Sequence, residues 1–340
     1  MISRGRSTYQ GFAATIKLVG TGARGSRDLD FEEARAAMAD LVAGRVSDAQ
    51  AGAFLMAMRL KGESPEELGG FARALDEAAL PLEADTDGRP LVSCGGAYDG
   101  VAAAPHLSLA AACAAAACGA GVIMHCGTTI GPKRGVTQAD VLGSLGGPCA
   151  PTAEESVDML ERSGVTLVFA PAVHDGWERL RELRDEMGVR GPLHAAERLQ
   201  GFFGARRFVV GFTHSPYADR ILSALRALGA ERAVVVRGVE GSDVARPGRP
   251  TATGDVGPLE LPERLGLRMP ESVGAEQSAA ATRGVLAGEL NGPVEQAVAL
   301  SAGLRIYAAG LTENPREGTE RGRAALVDGS AGAALDALLG

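Results

Sequence analysis

Lysine is nearly missing from this chain: Lys17, Lys61 and Lys133 are the only three among 340 residues, and the other 31 of 34 basic residues are arginine. Arginine suits bidentate contacts to phosphate, though the same bias beside so much alanine also fits genome composition. Cysteine is scarce as well. Cys94, Cys113, Cys118, Cys126 and Cys149 form no C-x-x-C pair and are odd in number, which argues for reduced thiols against a disulfide frame, a zinc site or a redox motif. No long apolar run is present: the best, Leu107 to Met124, is alanine broken by glycines and reads as helix, turn and strand. The N-terminus has arginines but no compact apolar core with a cleavage site, so a secretory signal is not expected. No membrane partner and a cytoplasmic location are the expectations.

What is present describes a folded, globular chain. Hydrophobic residues make up 46% and charged residues 22%, and the length allows two lobes with a substantial core. The net charge of −8 is unevenly spread. Arg4, Arg6, Lys17, Arg24 and Arg27 give residues 1–27 a charge of +5 with no acid, leaving −13 on the body. Such a basic arm can touch phosphates or remain a solvated terminus.

From Asp30 to Leu80 apolar residues recur at three and four positions, as in Ala34, Met38, Leu41 and Val42, which is a helical period. Gly44 and the Gly62 to Pro65 stretch divide it into three helices, and Ser47 with Gln50, and Ser64 with Glu67, have capping-box spacing. Beyond Arg89 short β-rich runs alternate with amphipathic helices. The strands predicted are Pro90 to Cys94, Val122 to His125, Val165 to Ala170, Phe208 to Thr213 and Ala233 to Arg237. This alternation predicts an α/β lobe with a mainly parallel sheet. The expected division is 1–86 for arm and helical domain and 87–340 for the α/β domain, with the helical segment 172–200 packing on the helical domain.

Ligands of open parallel sheets bind where strands end. After the first strand, Gly95 and Gly96 permit close backbone approach, and a helix starting near His106 or Ser108 offers free amides to an anion. A glycine pair after a strand is also an ordinary turn. After the second strand, Thr128, Lys133 and Arg134 offer hydroxyl and cationic partners for phosphate, or simply a solvated surface. After the last strand, Glu240 and Asp243 are either loop acids or a magnesium site.

The stretch LDFEEARAAMADLVAGRVSDAQAGAFLMAMRLKGESPEELGGFARAL, Leu29 to Leu75, resembles the helical N-terminal domain of the anthranilate phosphoribosyltransferase family, glycosyltransferase family 3, and the resemblance runs on through the α/β lobe. It implies the nucleoside phosphorylase/phosphoribosyltransferase class of fold: a small all-helical N-terminal domain and a larger α/β domain with a mainly parallel central sheet. It also implies a homodimer joined through the helical domain, and transfer of ribosyl 5-phosphate from phosphoribosyl pyrophosphate (PRPP) with magnesium. The family's GTGGD loop corresponds to Ser93, Cys94, Gly95, Gly96 and Ala97, with Asp99 as replacement for the lost acid. Its N-x-S corresponds to His106, Leu107 and Ser108, and its KHGN to Met124, His125, Cys126 and Gly127. Its magnesium-binding Asp-Glu pair corresponds to Asp243 and Val244, with Glu240 upstream. Arg190 matches the anthranilate-binding arginine, and His194 replaces the asparagine that follows it.

These matches assign substrate contacts to Gly95, Gly96, Asp99, His106, Ser108, His125, Gly127, Thr128, Lys133, Arg134 and Arg190, and a metal to Glu240 and Asp243. The expected activity is phosphoribosyl transfer to an unidentified acceptor other than anthranilate, with PRPP or another phosphorylated small molecule as partner. The segments RGVEGSDVARP and IKLVGTGARGSRDL also resemble a divergent branch whose members bind nucleic acid without transferase activity. The alternative is therefore an inactive family member that grips nucleic acid or a nucleotide with the basic arm, Arg206 and Arg207.

Overall fold

The computed structural model describes residues 9–22, 24–272 and 274–340. The chain opens with helices α1 (Phe12–Gly20), α2 (Phe31–Val42), α3 (Asp48–Lys61) and α4 (Pro65–Ala78). Capping boxes start α2 at Asp30 with Glu33, α3 at Ser47 with Gln50 and α4 at Ser64 with Glu67, the latter two at the spacing the sequence predicts. Phe54 and Phe71 are fully buried and meet edge-on at 6.0 Å, a contact worth about 0.5–1.5 kcal/mol beyond its buried area. Residues 12–20, read from sequence as part of a basic arm, are helical instead. Phe12, Ile16 and Val19 lie along one face, and Phe12 stacks edge-on with Phe54 at 5.3 Å. Arg4 and Arg6 lie outside the described residues. Arg27 is spent on Glu33 at 2.6 Å.

The α/β lobe follows as β1 (Leu91–Gly95), α5 (Ser108–Ala116), β2 (Gly121–Cys126), α6 (Gln138–Ser144), α7 (Ala153–Ser163) and β3 (Val165–Phe169), then the short α8 (Ala170–Val173) and α10 (Leu193–Ala196) flanking α9 (Trp177–Met187). After them come β4 (Arg207–Phe212), α11 (Pro216–Ala227), β5 (Arg232–Arg237), β6 (Ala252–Gly254) and β7 (Gly257–Pro258). Helices α12 (Ala275–Leu286), α13 (Pro293–Ala309), α14 (Pro315–Val327) and α15 (Ser330–Leu339) close the chain. The strand order is β3-β2-β1-β4-β5-β6-β7, the first five parallel and the last two antiparallel. The parallel strands are buried on both faces, as parallel sheets require. Every residue of α5 is buried; its alanines let it press closely between β2 and the helices α13 and α15.

The chain winds outward from β1 through β2 to β3, returns to β4 and winds the other way. The switch point thus falls between β1 and β4, the place where open parallel sheets bind ligands at the strands' carboxyl ends. Segment α9 to α10 packs on the helical lobe. Trp177, Leu180, Leu183 and Leu193 share one core with α2 to α4, and Arg179 donates to the Leu41 and Val46 carbonyls at 3.1 and 2.9 Å.

A candidate active site between two lobes

A cleft of about 470 Å³ opens between the end of α3, the 188–198 segment and the β4–α11 turn. Arg59, Arg190 and Arg198 line it with Glu63, His194 and Tyr217, and Val189, Phe212 and Ile221 give it an apolar wall. The Tyr217 hydroxyl donates to Glu63 Oε1 at 3.2 Å. His194 is buried, and burial together with the nearby Arg184 and Arg198 charges drives its pKa down to about 3, so the ring is neutral. Its Nδ1 accepts the Gly191 N–H at 3.2 Å, which places the ring proton on Nε2, a donor with no partner among the described residues.

The loops expected to cradle phosphate do converge, but on each other. Asp99 is buried; its carboxylate binds the Arg190 guanidinium, whose Nε lies at 3.1 Å, and Lys133 Nζ lies at 3.4 Å. Lys133 also donates to the Glu240 carbonyl at 3.0 Å, so one ammonium ties together the loops after β1, β2 and β5. Burial lowers the Lys133 pKa, offset by Asp99 and Glu240. The Glu240 carboxylate accepts the Ala102 and Ala103 N–H groups at 3.0 and 2.9 Å. Gly95 lies so near the Arg198 carbonyl that any Cβ would collide with it, and a Cβ on Gly96 would reach 3.1 Å from Gln138 Nε2 and 3.3 Å from Asp243 Oδ1. The glycines serve close packing here.

Beneath that loop Asp243 is fully buried, hydrogen-bonded by the Ser108 hydroxyl on one oxygen and ion-paired with the equally buried Arg305 on the other. Arg305 also donates to the Ser301 carbonyl at 2.8 Å. His106 and His125 are both buried, and desolvation lowers each pKa to about 4. The Tyr98 hydroxyl and His125 Nδ1 are 2.8 Å apart, and the backbone N–H of His106 donates to Ser278 Oγ at 3.1 Å. Gly127 packs under Trp177. The Thr128 hydroxyl donates to Glu178 at 2.9 Å, and Arg134 pairs with Asp185 at 3.1 Å.

Of the residues expected to touch substrate, Arg190 alone lines the cleft. Arg206 and Arg207 share Glu231 at 3.8 and 3.1 Å. Sequence reasoning missed Arg59, Glu63, Arg198 and Tyr217, which nothing in their local spacing marks. It also missed Arg305, whose signal was available: a lone charge inside the apolar run AVALSAGLRIYAAG.

A helical bundle and an α/β lobe with a cleft between them make this a two-domain protein of the kind that seats a small ligand between its lobes. Residues 15–79 match the helical bundle domain of the glycosyl transferase family and residues 91–332 match its a/b domain. The anthranilate phosphoribosyltransferase of Thermus thermophilus is 36% identical over 310 residues, covering 89% of this chain and 92% of that one; that of Xanthomonas campestris is 32% identical over 321 residues, covering 92% of each. The chain belongs to this glycosyl transferase family, that of the anthranilate phosphoribosyltransferases. The crystal structure of the Thermus thermophilus enzyme superposes with a TM-score of 0.83 at 34% identity, covering 95% of this chain and 98% of that one. The Saccharomyces cerevisiae enzyme, solved in complex with PRPP and Mg, shares the fold at a TM-score of 0.80 and 15% identity over 96% of both chains. No helix among the described residues is long and apolar enough to cross a membrane.

Proposed function

We propose that the chain transfers ribosyl 5-phosphate from PRPP to an aromatic acceptor bearing an acidic group, seated in the interlobe cleft. The observation that carries this reading is the lining: Arg59, Arg190, Arg198 and His194 offer donors to an anionic group, while Val189, Phe212 and Ile221 offer a ring an apolar wall. The volume is that of a small-ligand site. The relatives' name makes anthranilate the first acceptor to assay; His194, standing where the family has asparagine, is the ground for reading the acceptor as a different one.

Transfer replaces pyrophosphate by the acceptor nitrogen at ribose C1 and needs no protein nucleophile, so the protein's part is placement and charge. In this reading Thr128, Lys133 and Arg134 turn to the phosphates, Lys133 exchanging Asp99 and Glu240 for phosphate oxygens, above the close-packed Gly95 and Gly96 and the buried Ser108. The magnesium assigned to Glu240 and Asp243 does not fit these donors: both Asp243 oxygens and the Glu240 carboxylate are already engaged. A homodimer through the helical lobe belongs to the same reading, with Leu60, 80% exposed at the end of α3, at the contact.

Calorimetric titration with PRPP, with and without magnesium, followed by a pyrophosphate-release assay with anthranilate and other aromatic amino acids, tests the proposal. PRPP binding and acceptor-dependent pyrophosphate release support it; no PRPP binding in either condition removes it. A second reading, a member that binds a nucleotide or nucleic acid without transfer, is favoured by the closed phosphate loops. Binding that weakens steeply with salt and releases no pyrophosphate would select it.

A further inference from the structure

The loop after β5 and the turn at 266–269 enclose a second cavity of about 830 Å³, none of whose lining residues lines the cleft. Its walls carry four arginines, Arg237, Arg246, Arg249 and Arg268, against one acid, Glu240. That acid is already held by the Ala102 and Ala103 amides. Among the described residues no carboxylate pairs with any of the four guanidinium groups; Arg246 donates only to the Gly238 carbonyl, at 3.3 Å. Several surface arginines elsewhere do find acids, as Arg206 and Arg207 share Glu231.

The display is braced. A Cβ on Gly248 would sit 2.5 Å from the Leu267 carbonyl, so only glycine lets the two loops lie against each other. Gly238 bridges to Ala245 across the loop base, and the Arg237 N–H donates to the Thr251 carbonyl at 2.8 Å. Crowding has an electrostatic cost: burial and the neighbouring Arg237 charge both lower the Arg246 pKa. A multiply charged anion would offset that repulsion, and guanidinium forks match phosphate oxygens two at a time.

We infer that this cavity binds a small oligophosphate, a molecule carrying two or more linked phosphate groups. Its concave shape suits a compact anion, whereas an extended polyanion needs a continuous basic track that a chain of net charge −8 does not favour. The inference is independent of the reading of the cleft.

Calorimetric titration of the full chain with inorganic tripolyphosphate and with orthophosphate at low salt tests it. Tripolyphosphate is expected to bind, orthophosphate about tenfold or more weaker. Arg246→Gln/Arg249→Gln should weaken tripolyphosphate by about tenfold or more, and Arg206→Gln/Arg207→Gln should leave it unchanged. Since Arg246 is partly buried, Arg249→Gln/Arg268→Gln, at two exposed and unpaired positions, gives the same readout with the melting temperature unchanged. No tripolyphosphate heat at low salt, or equal affinity in these variants, overturns the inference. So does a single-stranded oligonucleotide that binds through these arginines and is not displaced by millimolar tripolyphosphate.

Discussion

Arg305 and Asp243 are both 0% exposed and form an ion pair in the core beneath the glycine loop, with Ser108 as the only other side-chain partner of the carboxylate among the described residues. Replacing Arg305 by leucine leaves Asp243 charged and buried with one hydroxyl for compensation. Breaking such a pair from one side costs about 3–5 kcal/mol. With an unfolding entropy of about 2.1 cal/mol/K per residue, a cooperative 340-residue chain changes by ~0.7 kcal/mol per degree near its midpoint, so the melting temperature should fall by about 4–7 °C. Scanning calorimetry at pH 7 measures it. The double variant Arg305→Leu/Asp243→Leu should recover most of the loss, because no charge stays stranded and apolar replacement of a buried pair is often neutral or better. A drop below about 1 °C in the single variant, or a double variant no better than the single, would refute the reasoning that this pair neutralises the site from within.

The buried histidines should make the fold acid-labile. His106, His125 and His174 titrate near 4 and His194 near 3 when folded, against an ordinary 6.5, because burial disfavours the imidazolium. The unfolded chain takes up these protons first, so their contribution is complete above pH 6.5 and is lost as pH falls toward 4. Asp76, raised to about 7 by burial, acts the other way, its penalty being relieved on acidification. Glu197, raised by burial, acts as Asp76 does. With four histidines against these two carboxyls, the urea midpoint should drop between pH 6.5 and 4; a midpoint rising through about pH 5 would contradict this. Gly95→Ala drives a methyl into the Arg198 carbonyl and should cost about 1–3 kcal/mol, read from the same urea curves. Lys133→Gln should weaken PRPP binding about tenfold if the ammonium meets phosphate; unchanged affinity would leave it only as the tie between three loops. Leu60→Glu should halve the mass found by light scattering if the helical lobe is the dimer contact.

How much the sequence discloses depends on the range of the interaction. Capping boxes such as Ser47 with Gln50 span three residues, and helix and strand periods span a dozen or fewer, so the helical lobe and the five parallel strands were legible to within about a residue or two. Helix α1 is masked in the sequence because its one basic residue, Lys17, falls in the basic run 1–27, and the Phe12, Ile16, Val19 stripe spans barely two turns. The short β6 and β7 carry too few residues for a period to register. The chemistry of the site was harder, because a side chain's partner is set by contacts across the whole chain. Asp243 and Ser108 were singled out, yet Arg305, which shares that carboxylate, lies 62 positions beyond Asp243, and Lys133 meets Asp99 on an earlier loop and Glu240 on a much later one. Spacing names groups able to bind phosphate. It does not say whether they still await it or already hold one another, and here a lone arginine in the apolar helix α13 was the residue whose charge bore on that question.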